Sequence, residues 1–472
     1  MKVRNPRTGV LDYKIMPLDA DAIGQIASEL RARQAVWAAR TPEARAQSLR
    51  ALADVIARRN APIGEALTTD TGRRAISWIE VDGTIRTLNR WADIAPGLIA
   101  GATGEPRPGA TPGIEISTRL VPYPLVGVIS PWNFPLTLAL IDAIPALSAG
   151  CAVIVKPSEV TPRFIRPLAA ALAEVPEVPL AIIEGDGATG AALIEAVDYI
   201  AFTGSVGTGR KVAIAAAAAF IPASLELGGK DPMIVLASAD PAWAAQVALR
   251  ASIVNTGQAC QSIERVYVAQ QIAEPLLAAL VEGAKAVRLN ANDIATGDIG
   301  PFIFEKQAAI VQAQIDDAVA RGARVLAGGT VETIGGGLYL RPTVLSDVTP
   351  DMAVMREETF GPVIPVTAFV TVDQAVALAN DGEFGLSAAV LAGSAEEAEA
   401  VAVRLAAGAV SINDGALTSM VWDAEKSSFG MSGMGPSRMG EQGLLRFFRK
   451  QALLRQTGTA LPIQAYAEDA QQ

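Results

Sequence analysis

Between residues 126 and 202, short apolar runs alternate with longer segments of helical character. The apolar runs are the predicted strands, at 126–129, 152–155, 180–183 and 199–202. The predicted helices lie between them, near 136–149, 162–173 and 188–196. This alternation predicts an α/β fold in which helices cover both faces of a parallel sheet. Ligands of such sheets bind at the carboxyl ends of the strands.

A second series of the same kind begins after Gly229. Its predicted strands lie at 233–236, 265–268, 325–327, 363–369 and 388–391. The helical pattern of residues 19–60 predicts helices that cover a sheet, and an alternating strand at 114–120 could leave the body of the protein as an arm. A chain of 472 residues has room for about three domain-sized units.

Charge and hydropathy argue against several classes of partner. Half of the residues are apolar and 19% are charged, which indicates a folded globular protein. The net charge of -10, without a cluster of Lys and Arg, argues against a nucleic-acid partner. The most apolar stretch, 135–155, is broken by Asp142, Pro145 and Gly150, so we predict no membrane span. The N-terminus lacks the apolar core of a signal peptide, and we expect a cytoplasmic protein.

The chain contains no histidine, which excludes Ser-His and Cys-His catalytic pairs and any His-ligated metal. Its two cysteines form neither a disulfide framework nor a metal-ligand spacing, so we predict no metal site. Cys151 begins an apolar run and is interpreted as a small buried hydrophobe. Cys260 lies in a polar, glycine-containing turn where a thiol is more accessible, and backbone N–H groups or a helix dipole could enrich its thiolate. Its base must be a carboxylate or a lysine, and Glu226 lies far enough upstream to fold back toward it.

Two further motifs are candidates for binding a nucleotide. Residues 199–209 read as a strand, a glycine-rich turn and a helix start, which would admit a pyrophosphate, although a plain βα turn is an equal alternative. Lys156 and Glu159 follow another strand. Both could bind ribose hydroxyls, and the carboxylate would repel a 2′-phosphate. The alternative is a surface ion pair.

Two other motifs carry candidate polar groups. Asn133 directly follows a predicted strand and could help to hold an oxyanion, or it could only cap the next helix. Glu358 and Phe360 supply a carboxylate and an aromatic face, or they form an ordinary turn after a helix.

Taken in order, these motifs resemble those of the aldehyde dehydrogenase superfamily, over about residues 20–450. The matching motifs are Pro131-Trp132-Asn133, Lys156-Pro157-Ser158-Glu159, Phe202-Thr203-Gly204-Ser205 with Gly209, Glu226-Leu227-Gly228-Gly229-Lys230, Gly257-Gln258-Ala259-Cys260 and Glu358-Thr359-Phe360-Gly361-Pro362.

The resemblance implies a fold and a set of partners. A Rossmann-like parallel-sheet cofactor domain is expected at 1–228, interrupted by a small β bridging arm near 104–122. A related α/β catalytic domain is expected at 229–434, and a C-terminal bridging segment at 435–472. The implied partners are an aldehyde, NAD with NADP as an alternative, and further copies of the chain in a homodimer or homotetramer.

The resemblance also implies roles. Cys260 would attack the aldehyde, Asn133 and the Cys260 N–H would hold the oxyanion, and Glu226 would activate the water that releases the acid. Lys230 would support the site or serve the structure. The implied catalytic set is Cys260, Glu226, Asn133 and Lys156. The implied cofactor-binding set is Ile129, Pro131, Trp132, Lys156, Ser158, Glu159, Gly187, Phe202, Thr203, Gly204, Ser205, Gly209, Leu227, Gly228, Glu358 and Phe360.

One part of the chain departs from the family pattern. Many members carry Phe-Gly-Gly-x-Lys before the last Ser-Gly segment, whereas residues 429–438 are a shorter version without that lysine. The expected substrate tunnel is apolar and no arginine in the loop at 413–423 is placed to clamp a second carboxylate, so we expect apolar aromatic or medium to long aliphatic aldehydes. Its expected lining residues are Phe134, Leu138, Gln261, Leu417, Met420 and Trp422.

Two alternatives remain open at this point. A CoA-acylating relative would pass the same thioester to a thiol, but such enzymes usually lack the carboxylate found at Glu226. A non-catalytic binding protein of the same fold would be marked by loss of Cys260 or Glu226, and both residues are present.

Overall fold

A computed structural model describes residues 1–468. The strands are β1 Lys2–Arg4, β2 Leu11–Lys14, β3 Arg107–Pro108, β4 Ile114–Pro122, β5 Leu125–Ile129, β6 Ala152–Lys156, β7 Leu180–Ile182, β8 Tyr199–Thr203, β9 Ala223–Glu226, β10 Asp231–Val235, β11 Ile263–Ala269, β12 Arg324–Ala327, β13 Val331–Ile334, β14 Gly337–Leu340, β15 Thr343–Ser346, β16 Val363–Phe369, β17 Phe384–Gly385, β18 Ser387–Leu391, β19 Ala409–Ile412, β20 Phe429–Gly430, β21 Gly433–Met434 and β22 Phe448–Gln456.

The helices, which cover the sheets, are α1 Ala20–Ala38, α2 Pro42–Arg58, α3 Asn60–Thr71, α4 Arg74–Thr103, α5 Pro135–Leu140, α6 Ala143–Ala149, α7 Ile165–Leu172, α8 Gly187–Ala196, α9 Val206–Ala218, α10 Pro241–Ile253, α11 Gln270–Ala286, α12 Glu305–Ala320, α13 Ala353–Arg356, α14 Val372–Asn380, α15 Ala395–Ala402 and α16 Gln442–Leu445.

The first sheet has the strand order β21-β9-β8-β5-β6-β7, and it is parallel except for β21. The chain runs from β5 outward to β7 on one side and from β8 to β9 on the other, so the order reverses between β5 and β8. A crevice forms at such a reversal, beyond the carboxyl ends of the strands. Register places Ile129 beside Lys156 and Phe202, and Thr203 beside Glu226, all at that edge.

The second sheet has the order β12-β15-β16-β11-β10-β18-β19, and it is parallel except for β12. Buried apolar side chains fill both faces of each sheet. A three-stranded antiparallel sheet, β22-β4-β3, pairs the alternating strand with the end of the chain. The predicted α/β fold with parallel sheets is confirmed.

One predicted helix is in fact two. The segment predicted near 136–149 is divided into α5 and α6 at Ile141 and Asp142. Pro145 lies in the first turn of α6, lacks an N–H and would clash with the carbonyl of Ile141 in a continuous helix, which explains the break.

None of the helices in residues 1–468 combines the length and the apolar character that crossing a bilayer requires. Within the same residues, no three His, Cys, Asp or Glu side chains are grouped as ligands of a metal ion.

Candidate active site

Cys260 follows a loop with an unusual backbone. The 3-10 turn Val254–Gly257 comes directly after α10, and residues 255, 256 and 257 have φ of 59°, 58° and 68°. Such left-handed backbone is uncommon for residues other than glycine and persists only where the surrounding structure enforces it. A Cβ at Gly257 would lie 2.3 Å from the carbonyl carbon and oxygen of Gly361, so glycine is required there.

Gln258 holds this loop from inside the protein. Its side chain is fully buried, and its Nε2 donates to the carbonyls of Asn255 at 3.2 Å and Pro301 at 3.3 Å. Its Oε1 accepts from the N–H of Ile303 at 2.9 Å. Cys260 is therefore carried by a loop fixed at several points, and its side chain remains partly exposed.

Asn133 lies against the same loop. Its Nδ2 donates to the carbonyl of Gln258 at 3.0 Å, and no acceptor in residues 1–468 takes the second Nδ2 hydrogen. The Asn133 carbonyl accepts from Asn255 Nδ2 and from the buried Arg73 guanidinium, each at 3.0 Å. The alternative of a helix cap is wrong, because Glu80 accepts the N–H groups of Leu136 and Thr137 at the start of α5.

Glu226 ends β9 and precedes the turn that contacts the cysteine loop. A Cβ at Gly229 would lie 3.1 Å from the carbonyl oxygen of Cys260. The Glu226 Oε2 accepts from Ser428 Oγ at 3.3 Å. The strand end that carries Glu226 and the loop that carries Cys260 are thus joined through a turn too tight for any side chain.

The electrostatic surroundings of Cys260 differ from the expectation of an enriched thiolate. Burial raises the pKa of Cys260 to about 11, Lys426 lowers it, and Asp231, Glu226 and Glu358 raise it further. The thiol is therefore protonated at neutral pH. Cys151, in contrast, is fully buried beside β6, and burial raises its pKa strongly, as predicted for a structural thiol.

Glu358 also contacts the glycine turn. Its Oε1 accepts from the N–H of Gly229 at 3.2 Å, and a Cβ at Gly228 would lie 2.5 Å from both carboxylate oxygens. Burial raises the pKa of Glu358 to about 8, Glu264 raises it further, and the Gly229 N–H lowers it. Phe360 packs edge-on against Trp132, with ring centroids 5.4 Å apart.

Lys230 supports the loop that carries Glu358. Its Nζ lies 2.7 Å from Glu264 Oε2 and 2.7 Å from Thr359 Oγ1, and all three side chains are buried. The Glu264 carboxylate in turn accepts the N–H groups of Thr359 and Phe360, each at 2.8 Å. Lys230 therefore serves the structure of the site.

The cofactor candidates lie along the carboxyl edge of the first sheet. Lys156 Nζ lies 3.3 Å from Glu159 Oε2 and donates to the Gly185 carbonyl at 3.1 Å, with Lys156 buried and Glu159 partly exposed. Ser158 Oγ accepts from the N–H of Val160 at 3.2 Å. Ser205 caps α9 by accepting from Thr208.

The family model described as the aldehyde dehydrogenase family matches residues 1–453. The chain belongs to the aldehyde dehydrogenase family. A provisionally named NADP(+) succinate-semialdehyde dehydrogenase of Mycobacterium ulcerans is 37% identical over 434 residues, which cover 90% of this chain and 83% of the relative.

Solved structures of family members have the same fold. A provisionally named aldehyde dehydrogenase of Anabaena variabilis is 50% identical, with a TM-score of 0.95 and 98% of each chain covered. Betaine aldehyde dehydrogenase from Staphylococcus aureus, in complex with NAD+, is 29% identical with a TM-score of 0.91, covering 98% of this chain and 92% of that one. The prediction of an NAD(P)-dependent aldehyde dehydrogenase is confirmed.

The residues expected to line the substrate tunnel lie on three segments of the chain. Phe134 precedes α5, with the Arg73 guanidinium 5.6 Å from its ring centroid, and Leu138 lies within that helix. Gln261 follows Cys260 and has a buried Oε1 without a hydrogen-bond partner in the described residues. Leu417 begins a 3-10 turn, Met420 is exposed, and the Trp422 carbonyl accepts from Gly440 N at 3.1 Å.

Sequence reasoning missed several polar groups of the site. Ser428 and Lys426 belong to the segment before β20, and Arg438 donates to Thr203 Oγ1 at 2.6 Å and to Asp142 at 2.7 Å. These residues match no family motif. The available signal was Lys426, the only lysine between Lys306 and Lys450, just before the segment where the family pattern is broken.

Proposed function

We propose that the enzyme oxidises an aldehyde to the carboxylic acid through a covalent intermediate on Cys260. The Cys260 thiol gives its proton to water, and the sulfur then adds to the aldehyde carbon while the C=O π pair moves to oxygen, which forms a thiohemiacetal. Its oxyanion accepts hydrogen bonds from Asn133 Nδ2 and the Cys260 N–H. Loss of hydride from that carbon leaves a thioester. The observation that supports this most directly is the contact of the Gly229 turn with both Cys260 and Glu358, directly after Glu226.

Glu226 is the proposed base for the second half of the reaction. It would accept a proton from water as the oxygen attacks the thioester carbon, and the acid leaves as the bond to sulfur breaks. The chain has no histidine to do this. The hydrogen bond from Ser428 orients the Glu226 carboxylate, and Ser428 lies in a segment that would close the site.

The groove at the carboxyl edge of the first sheet fits a nicotinamide dinucleotide, which accepts the hydride when bound. A Cβ at Gly187 or Gly207 would meet no atom within 4 Å, so the first turns of α8 and α9 leave open space. Helix N-termini with accessible backbone bind phosphates well. Lys156 and Glu159 would hold the adenine ribose, Gly204 and Ser205 the pyrophosphate, and Glu358 and Phe360 the nicotinamide ribose.

We also propose a preference for NAD. The partly exposed Glu159 carboxylate accepts ribose hydroxyls and repels a 2′-phosphate, and Ser158 Oγ is already engaged with Val160. The KM for NADP should therefore exceed that for NAD, although the Mycobacterium ulcerans relative is named for NADP. Equal KM values for the two cofactors would show that Glu159 does not discriminate.

The proposed substrates are apolar aromatic or medium to long aliphatic aldehydes, because Phe134, Leu138, Leu417 and Trp422 offer apolar surface. The relative is named for succinate semialdehyde, so the preference must be measured on both classes. A higher kcat/KM for succinate semialdehyde would contradict this preference.

A dimer or tetramer is also proposed, since Leu453 and Leu454 on the edge strand β22 are 49% and 71% exposed.

Two variants test the mechanism. Cys260→Ala should abolish NADH formation from aldehyde, and Cys151→Ala is the matched control that retains it.

Glu226→Gln should keep a burst of one NADH per site and lose most of the steady-state rate, because only thioester hydrolysis needs the base. Equal loss of burst and turnover would refute the role of Glu226, and acyl-CoA formation on addition of CoA would refute hydrolysis.

A further inference from the structure

Asn255 joins the two segments that carry the proposed oxyanion donors, Asn133 Nδ2 and the Cys260 N–H. Its own Nδ2 donates to the carbonyl of Asn133 at 3.0 Å and to the carbonyl of Gln258 at 2.9 Å. The Asn133 Nδ2 donates to the same Gln258 carbonyl at 3.0 Å. These three hydrogen bonds close a ring through residues 133, 255 and 258, each of which is at most 2% exposed.

Position 255 admits few side chains other than asparagine. The backbone there is left-handed, with φ of 59°, a conformation that glycine, asparagine and aspartate adopt more readily than most residues. Of these three, only asparagine has a group that donates two hydrogen bonds. Because both acceptors are carbonyls, they also decide which end of the side-chain amide faces them. The backbone and the two carbonyls therefore call for the same residue.

The ring determines where the second Nδ2 hydrogen of Asn133 points. Both hydrogens of an amide NH2 group lie in the amide plane, so a hydrogen bond from one fixes the direction of the other. One hydrogen goes to the Gln258 carbonyl, and no acceptor in residues 1–468 takes the second. The Gln258 carbonyl is in turn held against the main chain of Asn133 by Asn255.

The other contacts of these segments do not replace this link. The Asn133 carbonyl also accepts from Arg73 at 3.0 Å, but Arg73 is the residue before α4 and does not belong to the cysteine loop. The side chain of Gln258 anchors the loop to itself and to residues 301–303, and none of these bonds involves Asn133. Without Asn255, a single hydrogen bond to Gln258 would set the orientation of the Asn133 amide.

We propose that Asn255 is a positioning residue for the oxyanion, because it holds the second Nδ2 hydrogen of Asn133 in a fixed direction relative to the Cys260 N–H. This inference rests on the proposed function, in which those two groups bind the oxyanion of the thiohemiacetal. Asn255 acts through Asn133, and no bond to Asn255 forms or breaks. Donors that are aimed before the charge develops stabilise an oxyanion best. Loss of Asn255 should therefore slow the first half of the reaction, which is seen as the NADH burst.

The test is a double-mutant cycle between Asn255 and Asn133, read as the rate of the NADH burst in the full-length enzyme. Asn133→Ala removes the donor and should slow the burst by about 100- to 1000-fold. Asn255→Gly suits the left-handed backbone, loses the two side-chain hydrogen bonds and should slow the burst by about 10- to 100-fold. In the Asn133→Ala background, Asn255→Gly should add less than about twofold, because no donor is left to orient.

Thr256→Gly is the matched control. Thr256 is fully buried and has φ of 58°, but its side chain bonds to Gly300 and not to Asn133. Its effect on the burst should be the same with and without Asn133→Ala. Thermal unfolding shows which variants are folded. If Asn255→Gly is not, Asn255→Asp takes its place in the cycle, since it keeps the shape and cannot donate to both carbonyls.

Three outcomes separate this inference from the proposed function. If the losses from Asn255→Gly and Asn133→Ala multiply in the double variant, Asn255 does not act through Asn133 and the inference is overturned while the proposed function stands. Equal coupling of Thr256→Gly with Asn133→Ala would also overturn it, since the loop would then act only as a whole. If Asn133→Ala alone left the burst unchanged, the oxyanion role in the proposed function would fail and the inference with it.

Discussion

At the scale of single residues, the site depends on positions where only one side chain fits. The loop before Cys260 keeps Asn255 and Thr256 in left-handed backbone, which costs on the order of 1 to 3 kcal/mol each. Buried hydrogen bonds offset this cost. Asn255 Nδ2 donates to two carbonyls, and Thr256 Oγ1 donates to the Gly300 carbonyl at 3.1 Å.

Gly257→Ala should lower both the unfolding temperature and the rate of aldehyde oxidation. The new Cβ would meet Gly361 at 2.3 Å in a backbone of φ 68°, so the loop must move. The stability loss should exceed about 1 kcal/mol. Gly24→Ala, in α1 with no atom within 4 Å of the new Cβ, is the control and should stabilise by about 0.5 to 1 kcal/mol. If both variants behaved alike, the close approach to Gly361 would have no energetic consequence.

The identity of the site residues could be predicted from the sequence, but their environment could not. Cys260, Glu226 and Asn133 stand in recognisable motifs. The raised pKa of Cys260 arises from burial and from three nearby carboxyl groups, and it is opposed by Lys426, far along the chain in a segment without a motif. Burial of one atom depends on which distant segments cover it, and local patterns do not contain that information.

At the scale of elements, α5 is placed by a carboxylate from α4. Glu80 lies in α4 and accepts two N–H groups at the start of α5, while its Oε1 has no hydrogen-bond partner within residues 1–468. Burial raises the pKa of Glu80 to about 7 from an ordinary value of 4.5. The N-terminus of the helix that follows Asn133 is therefore held by a carboxyl group that titrates near neutral pH.

Glu80→Gln should flatten the pH dependence of stability. A carboxyl group whose pKa is raised by folding is deprotonated first in the unfolded chain, so the wild type loses stability as pH rises from about 4.5 through about 7. Glutamine does not titrate, so the variant should gain on the order of 1 to 3 kcal/mol relative to the wild type between pH 4.5 and pH 8. Urea unfolding at the two pH values measures this gain. The control variant Glu65→Gln, at an exposed position, should show no such gain. If Glu80→Gln were more stable than the wild type at the lower pH alone, the raised pKa of Glu80 would be contradicted.

Lys230→Met should destabilise the enzyme strongly, because it leaves the Glu264 carboxylate buried without its cation. Breaking such a buried pair costs on the order of 3 to 5 kcal/mol. The exposed pair of Lys285 with Glu282, 3.1 Å apart, supplies the control, and Lys285→Met should change stability by less than about 1 kcal/mol. Denaturant unfolding of both variants gives the comparison. A small loss in Lys230→Met would mean that Glu264 is satisfied by the two loop N–H groups alone.

Element prediction succeeded where a strand is an apolar run and failed where polar residues interrupt a short one. The four predicted strands of the first sheet are present, whereas the four-residue strands β9, β15 and β19 were not predicted. Each of these three contains a serine, and so short a segment with a polar residue carries too little pattern to be separated from a loop. The division between α5 and α6 follows from one proline whose effect the apolar pattern concealed.

At the scale of the whole molecule, the site lies where the carboxyl ends of the first sheet face the amino ends of the second. Lys156 and Glu226 end strands, whereas Gly229 and Cys260 precede strands β10 and β11. The candidate site residues lie at carboxyl ends of strands in the first sheet and at amino ends in the second. The orientation of one sheet against the other depends on long-range packing, which the alternation of strands and helices does not specify.

The segment that holds Arg438 and Arg446 is joined to the first sheet through a buried carboxylate. Asp142, between α5 and α6, binds both Arg438 and Arg446, and Arg438 also donates to Thr203 at the end of β8. Burial alone would raise the pKa of Asp142, but the two guanidinium groups hold it below its ordinary value. Its contribution to stability is therefore present at neutral pH and lost only in acid.

Asp142→Asn should cost on the order of 3 to 5 kcal/mol at neutral pH, because two buried guanidinium groups lose the carboxylate that both of them bind. The loss should shrink as the pH falls and the wild-type carboxyl becomes protonated. Asp93→Asn removes the acid of an exposed pair with Arg50, 2.5 Å apart, and should change stability by less than about 1 kcal/mol. Urea unfolding at neutral and acidic pH measures both. Since Arg438 donates to Thr203 at the edge of the proposed cofactor groove, Asp142→Asn should also weaken cofactor binding. Normal NAD affinity in a destabilised variant would show that the C-terminal segment stabilises the fold without shaping that groove.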